Sequence, residues 1–288
     1  MKKAAIFGSK GQLGIELTEE FSKRGYDVAS FDRAGVDITD LAAVEKVVNL
    51  TQPSVVLNPA AFNQVDLAEK EPVKAFEVNG LAVRNLALAC RAVGAQLVHF
   101  STDYVFDGLG GHPYYEEDPT RPLGAYAVAK LAGELYASAY IESPLIIRTS
   151  GVFGPGGRHT ARGNFVELML KLAQGDQPIR IVEDFVASPT YAPALAARTA
   201  DMVEKGITGV IHAGGGEPIS WYHWAEKIFR AAKLRPPLKP TNEREFPTAA
   251  RRPKYSALSN RKMEGLGISP MPTLDAALQD YFARRGSA

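Results

Sequence analysis

The chain has 288 residues, 45% hydrophobic and 23% charged, which is enough apolar side chain for one large globular unit or two closely joined domains and excludes a disordered chain. Its 33 Lys and Arg against 32 Asp and Glu leave a formal net charge of +1, so no overall field draws it to nucleic acid or to an anionic membrane, and an anionic ligand must be held locally. The opening stretch, Lys2 to Phe7, loses its apolar run at Gly8, Ser9 and Lys10, short of a secretory segment, and no later stretch reaches the ~18 apolar residues of a membrane span.

In chain order, Ala4 to Phe7 is a short apolar run entering glycines, and Leu13, Leu17 and Phe21 then fall on one helical stripe. Tyr26 to Phe31, Ser54 to Leu57, Ala95 to Phe100 and Leu145 to Ile147 read as further strands. Leu41 to Leu50, Val73 to Val93 and Tyr126 to Tyr140 read as the helices between them. Cys90, the single cysteine, falls in the apolar helix-like stretch Leu86 to Val93; it has no disulfide partner in the chain and is expected to be a small buried group in a reducing, cytoplasmic setting. The alternation predicts an α/β fold, a Rossmann-type doubly wound parallel sheet. Past residue 150 the rhythm breaks: Gly154-Pro155-Gly156-Gly157 opens a loop, Asn164 to Ala173 looks helical, and Ile179 to Val182 is expected to return as one more strand. The triple glycine Gly214 to Gly216, the helix-like Trp221 to Ala232 and the Pro-rich stretch 236–253 suggest a smaller α+β cap.

Gly8-Ser9-Lys10-Gly11-Gln12-Leu13-Gly14 follows the first strand and opens the first helix, the context that a phosphate-binding glycine loop requires. Without Cβ atoms the turn tightens and a pyrophosphate can approach the backbone, with the helix N-terminus facing the anion. Asp32, about 20 residues on at the end of the second strand, is placed to accept hydrogen bonds from an adenosine ribose and favours NAD. Arg33 beside it and Lys10 in the loop can instead neutralise a 2′-phosphate, so NADPH or NADH are both admitted. Asp37 and Ile38 are candidates to bracket the adenine. The expected division is residues 1–150 plus about 178–212 for the NAD(P)-binding domain, and about 151–177 with 213–288 for the substrate domain.

Ser101-Thr102-Asp103 follows the fourth strand, and Tyr126-Ala127-Val128-Ala129-Lys130 lies on the next helix. Residues i and i+4 share a helix face, so the ammonium sits near the phenol and favours its ionised form, making a usable acid/base. Thr102, at the carboxyl end of a strand, is a candidate donor to a substrate carbonyl oxygen. A solvated Tyr/Lys pair explains that spacing alone; the agreement of three separate elements in the right order does not arise so easily.

These residues resemble the extended short-chain dehydrogenases, and within them the dTDP-4-dehydrorhamnose reductase family, over nearly the whole chain. The matching stretches include Gly11 to Gly14, Val36 to Asp40, Asn58 to Ala61 with Val65 to Glu69, Ser101 to Gly108, Lys130 to Glu134, Asn164-Phe165, Ser188 to Thr190, Ser220-Trp221 and Arg252-Pro253. The resemblance implies Thr102, Tyr126 and Lys130 as a catalytic triad, Ala60 and Ala61 lining the cofactor, Asn79 supporting the site, and Thr102, Asp103, Val105, Asn164 and Arg252 as substrate contacts. It implies NAD(P)H-dependent reduction of the C4 keto group of a nucleotide-linked 6-deoxy sugar. Thr149-Ser150-Gly151 departs from the family's Thr-Ser-Trp, so an aromatic wall near the sugar is expected to be missing, and Asp184 to Ser188 also departs; a different keto sugar or base is left open.

Some relatives dimerise through Mg²⁺ held by carboxylates; Glu16 is a candidate for such a site and a homodimer is admitted, but no metal site is legible. His112, His159, His212 and His223 fall at no zinc spacing. Arg251-Arg252, Arg284-Arg285 and Glu116-Glu117-Asp118 read as solvated charges. A sugar-nucleotide dehydratase or epimerase remains an alternative, although Tyr104 stands where dehydratases place a second carboxylate, and neither Cys90 nor His99 is placed as an epimerase base. A non-catalytic nucleotide-binding regulatory subunit is the other.

Overall fold

The computed structural model describes residues 2–160 and 163–286. Its first half alternates strand and helix: β1 (Lys3–Phe7), α1 (Gln12–Lys23), β2 (Asp27–Phe31), α2 (Leu41–Thr51), β3 (Val55–Asn58), the short α3 (Val65–Ala68), α4 (Pro72–Phe76), α5 (Ala82–Val93), β4 (Gln96–Thr102), α6 (Ala125–Tyr140) and β5 (Leu145–Thr149). Then come α7 (Phe165–Leu172), β6 (Ile179–Val182), β7 (Val186–Ala187), α8 (Ala192–Glu204), β8 (Gly209–His212), β9 (Ile219–Ser220), α9 (Trp221–Ala231), β10 (Leu238–Thr241), α10 (Arg261–Gly265) and α11 (Leu274–Gly286).

The main sheet runs β2-β1-β3-β4-β5-β8, every pair parallel. Strands buried on both faces need continuous apolar runs, and β1, β3 and β5 supply them. One face packs on α1 and α8 through Leu17, Phe21, Leu195 and Ala196; the other packs on α2 and α5 through Val44, Val48, Leu86 and Cys90. Cys90 is fully buried, and burial pushes its thiol up to about 12. Strand order reverses between β1 and β3, and such folds open their ligand crevice at the carboxyl ends there.

Ile179 to Val182 does form a strand, but it does not return to this sheet. It pairs in parallel with Leu238–Thr241, and the sixth strand of the main sheet is Gly209–His212, which local pattern did not reveal. The expected segment of about 178–212 is therefore divided. β6 and β7 pair outside the main sheet, with β10 and β9, while β8 is its sixth strand and α8 packs on its face. The physical reason is that a four-residue strand half exposed along one side fits the edge of a small ladder, not the middle of a sheet covered on both faces. The smaller unit has its own core of Phe153, Val166, Met169, Trp224, Ile228, Leu278 and Tyr281.

The expected helix 73–93 is interrupted. Residues Glu77–Leu81 widen into a π turn between α4 and α5, a distortion that frequently marks functional sites. Glu116 is also not the solvated charge expected of it: it is partly buried and accepts the His212 backbone N–H at 2.7 Å.

Candidate active site

The glycine loop is built for close approach. Gly8 has φ +85, in the left-handed region, and its N–H donates to Phe31 O at 2.8 Å; a Cβ there would stand 2.8 Å from the Ala60 backbone. A Cβ on Gly14 would stand 2.2 Å from Gly8 O, so only glycine lets α1 start against the turn. Gly11 caps α1 with no side-chain hydrogen bond, which leaves the helix N-terminus facing the cleft for an anion. The cleft holds about 630 Å³ and is lined at this end by Gly8, Lys10, Gly11, Gln12, Leu13, Asp32, Arg33, Asp37, Ile38, Ala60 and Ala61. The glycine cradle and the size of the cleft fit a nicotinamide dinucleotide. Gly14 and Asn79 stand behind that lining: Asn79 donates to Phe62 O at 2.9 Å and accepts from Phe62 N at 2.8 Å, pinning the loop after β3 from the π turn.

At the adenosine end the two cues for NAD and NADP meet each other. Lys10 and Asp32 form an ion pair, and that ammonium, helped by the Gly35 N–H, holds the Asp32 carboxyl below the usual range. Arg33 lies 3.8 Å from Asp37, whose carboxylate also takes the Thr39 N–H at 3.0 Å and hydroxyl at 2.8 Å. Lys74 lines the same cleft and was not singled out in the sequence.

Ser101, Tyr126, Lys130 and Thr149 line the other end. Tyr126 lies in the first turn of α6, whose free Ala125 N–H is capped by Glu69 at 2.8 Å, 56 residues away in sequence. Lys130 follows one turn later, 3% exposed, donating to Phe100 O; burial pulls its ammonium down to about 8, opposed by the charge of Glu134. Another turn on, Glu134 takes the Ser101 hydroxyl and a forked pair from Arg148, at 3.0 Å from Nε and 2.7 Å from Nη2. Arg148 lies over the Phe106 ring, 5.3 Å from its centroid. The neighbouring His212 is driven down to about 3 by burial and by Arg148, and stays neutral. Gly133 has to be glycine, because a Cβ would meet Asn79 O at 2.3 Å, where α6 crosses the π turn.

The expected substrate contacts are distributed differently. Thr102, 6% exposed, follows the cleft-lining Ser101 but is not itself in the lining; its hydroxyl donates to Asp103 Oδ1 at 3.1 Å and accepts the Tyr104 N–H at 3.2 Å. Asp103 turns inward instead of facing the cleft: 3% exposed, it takes hydroxyls from Ser150 at 2.8 Å and Ser256 at 2.6 Å. The Val105 side chain is fully buried among Phe106, Tyr114 and Leu258. Asn164 caps α7 and spends its amide on Gln12 Oε1 at 2.8 Å and Gly154 O at 3.0 Å, tying the smaller unit to the glycine loop. Arg252 grips Asp66 at 2.6 Å and bonds the Tyr104 phenol, whose ring stands edge-on to Tyr126 at 6.1 Å and 89°. Gly151 has φ +48, and a Cβ there would lie 3.3 Å from the Trp221 indole, which itself packs edge-on against Phe165. Glu16 is buried and accepts the Gly156 N–H at 2.9 Å.

A parallel doubly wound sheet, a glycine cradle at its strand-order reversal and a Tyr-x-x-x-Lys helix at the far end of the same cleft define a Rossmann-type extended short-chain dehydrogenase. More narrowly, the chain belongs to the RmlD substrate binding domain family, whose model matches residues 2–286. It is 38% identical to the spore coat polysaccharide biosynthesis protein SpsK of Bacillus subtilis, covering 100% of this chain and 99% of that one. It is also 38% identical to a dTDP-4-dehydrorhamnose reductase of Streptomyces griseus, over 96% of this chain and 92% of that one. Among solved structures, dTDP-4-dehydrorhamnose reductase of Bacillus anthracis in complex with NADP superposes with a TM-score of 0.94 at 34% identity, covering 99% of this chain and 100% of the other.

Proposed function

We propose that the protein reduces the C4 keto group of a nucleotide-linked 6-deoxy-keto-sugar, converting dTDP-4-dehydrorhamnose to dTDP-L-rhamnose with NADPH or NADH. The observation that carries this reading is the meeting, in one cleft, of the glycine cradle at one end and Tyr126 with Lys130 at the other. It is supported by the reductase relatives of full length and by the NADP bound to the Bacillus anthracis enzyme.

When bound, the dinucleotide supplies a hydride to the carbonyl carbon. The first N–H groups of α1, at Gln12 and Leu13, would hold its pyrophosphate where the glycines leave room for it, Asp32 would take the adenosine ribose, and Ala60 and Ala61 would flank the ring system. Tyr126 gives its phenolic proton to the oxygen that develops charge, and Thr102 donates a hydrogen bond to that oxygen. Lys130, kept close by its bond to Phe100 O, holds the nicotinamide ribose and stabilises the phenolate that Tyr126 leaves behind. We place the reaction in the cytoplasm; no helix among the described residues is long and apolar enough to cross a membrane.

The test is the loss of nicotinamide absorbance when purified protein meets NADPH or NADH and dTDP-4-keto-L-rhamnose, with the product identified by mass and by comparison with dTDP-L-rhamnose. Tight cofactor binding without turnover, over a panel of dTDP-, GDP- and UDP-keto sugars, rejects the enzyme reading in favour of a binding subunit.

A further inference from the structure

Proton bookkeeping around Thr102 exposes a conflict. A threonine hydroxyl has one proton to give and two lone pairs to fill. The Tyr104 N–H fills one lone pair. If Asp103 is a carboxylate, it accepts from Ser150 and Ser256 on Oδ2 and draws the Thr102 proton onto Oδ1, so that proton points inward. Thr102 then has nothing to donate to a substrate oxygen. If Oδ1 carries a proton, it donates to the second lone pair of Thr102, both lone pairs are filled, and the hydroxyl proton is left for a further acceptor.

We propose that Asp103 is a positioning residue whose protonated carboxyl turns the Thr102 hydroxyl toward the substrate oxygen. The proposal rests on the reading of Thr102 as a donor in carbonyl reduction. No charged partner fixes Asp103 as a carboxylate: Ser150 from the end of β5, Ser256 from the C-terminal segment and Thr102 from β4 are all uncharged. The titratable group facing it is the Tyr104 phenol, whose own pKa the Asp103 charge helps to raise; Arg252 reaches Tyr104 and pairs with Asp66 rather than with Asp103. Among the described residues, no Lys, Arg or His forms an ion pair with Asp103. Burial accordingly lifts its carboxyl to about 6, against the lowering effect of the three hydroxyls. Asp103 neither gains nor loses a proton in the chemical step, and the form with Oδ1 protonated prevails below about pH 6. The O–H bond that breaks is that of Tyr126, its proton goes to the substrate oxygen, and the hydride goes to the carbon.

The experiment is kcat against pH from 5 to 9, with NADPH and dTDP-4-keto-L-rhamnose, for the wild type, Asp103→Asn and Ser256→Ala, with folding checked by circular dichroism. The wild type should lose rate along a limb as pH rises through about 6, about tenfold per pH unit, as Oδ1 gives up its proton. Asp103→Asn should run at a lower plateau without that limb, because its amide N–H donates to Thr102 at every pH. Ser256→Ala removes a donor to the carboxylate and should move the limb upward by about one pH unit; it carries the test alone if Asp103→Asn does not fold. A limb kept in Asp103→Asn, or unmoved in Ser256→Ala, overturns the proposal while leaving the reductase reading intact. Absence of wild-type turnover at every pH sinks that reading, and this one with it.

Discussion

Lys10 at the adenosine end is 82% exposed and meets Asp32 in an ion pair largely open to water, whereas Lys130 at the other end of the same cleft is 3% exposed and rests on a backbone carbonyl. Behind Lys130 lies a chain of buried polar groups, Ser101, Glu134, Arg148 and His212, in which charge, hydrogen bonding and packing are all interlocked. Recognition at the first end is left to a glycine backbone and to charges that salt can screen; reactivity at the second depends on groups whose proton affinities burial has moved. Substitutions should therefore cost little at one end and much at the other.

The sharpest way to test that contrast is Tyr126→Phe, which should lower kcat by about 10³-fold while the dissociation constant for NADPH, read by fluorescence titration, changes by no more than about twofold. A comparable loss of cofactor affinity would mean that the two ends are not separable. Arg148→Met should lower the free energy of unfolding by ~3 kcal/mol in urea titrations, because it strands the buried Glu134 carboxylate; a second change, Glu134→Leu, should restore part of the loss. Failure of the single change to destabilise would show that water reaches this network.

The third effect depends on pH. The folded-state carboxyl of Asp103 lies at about 6, above its ordinary value of 3.8, so the native state holds a proton that the unfolded chain releases. Its stabilising contribution is complete below pH 3.8 and is lost as pH rises through 6. Asp103→Asn lacks that loss, so its stability relative to the wild type should improve between pH 4 and pH 7 by on the order of 3 kcal/mol, measured by denaturant unfolding at the two pH values. At the exposed end, Lys10→Ala should shift cofactor affinity by no more than about fivefold at low salt and by nothing measurable at 1 M salt. A large, salt-resistant effect there would erase the distinction between the two ends.

How much of this was legible beforehand depended on whether the information is local. The glycine loop is readable because its three glycines answer to one another within seven positions: Gly14 has to clear the carbonyl of Gly8. Tyr126 and Lys130 are readable because a single helical turn joins them. The inward turn of Asp103 was not readable, since nothing near it in sequence announces Ser150 and Ser256, which arrive from 47 and 153 residues away to hold its carboxyl group inside. The burial of Val105 was hidden for the same reason: its apolar neighbours Tyr114 and Leu258 are supplied by later segments. Ile179 to Val182 had the pattern of a strand but no mark of its partner, which lies at Leu238–Thr241. That Trp221 stands beside Gly151 was likewise unreadable, since the two are far apart in sequence.

By itself, the sequence determined the alternation of strands and helices, the glycine cradle at the head of α1, the Tyr-x-x-x-Lys face of α6 and the burial of Cys90, because periodicity, turn chemistry and helical spacing act over a few residues at a time. Tertiary structure alone decided that Glu69 caps the helix bearing Tyr126, that Asn79 pins the loop after β3, that Asp103 faces inward and that Arg252 grips Asp66. Each of those depends on a partner brought close only when the sheet and its cap have closed, and a hydrogen bond, unlike a helical propensity, has no meaning until both of its atoms are in place.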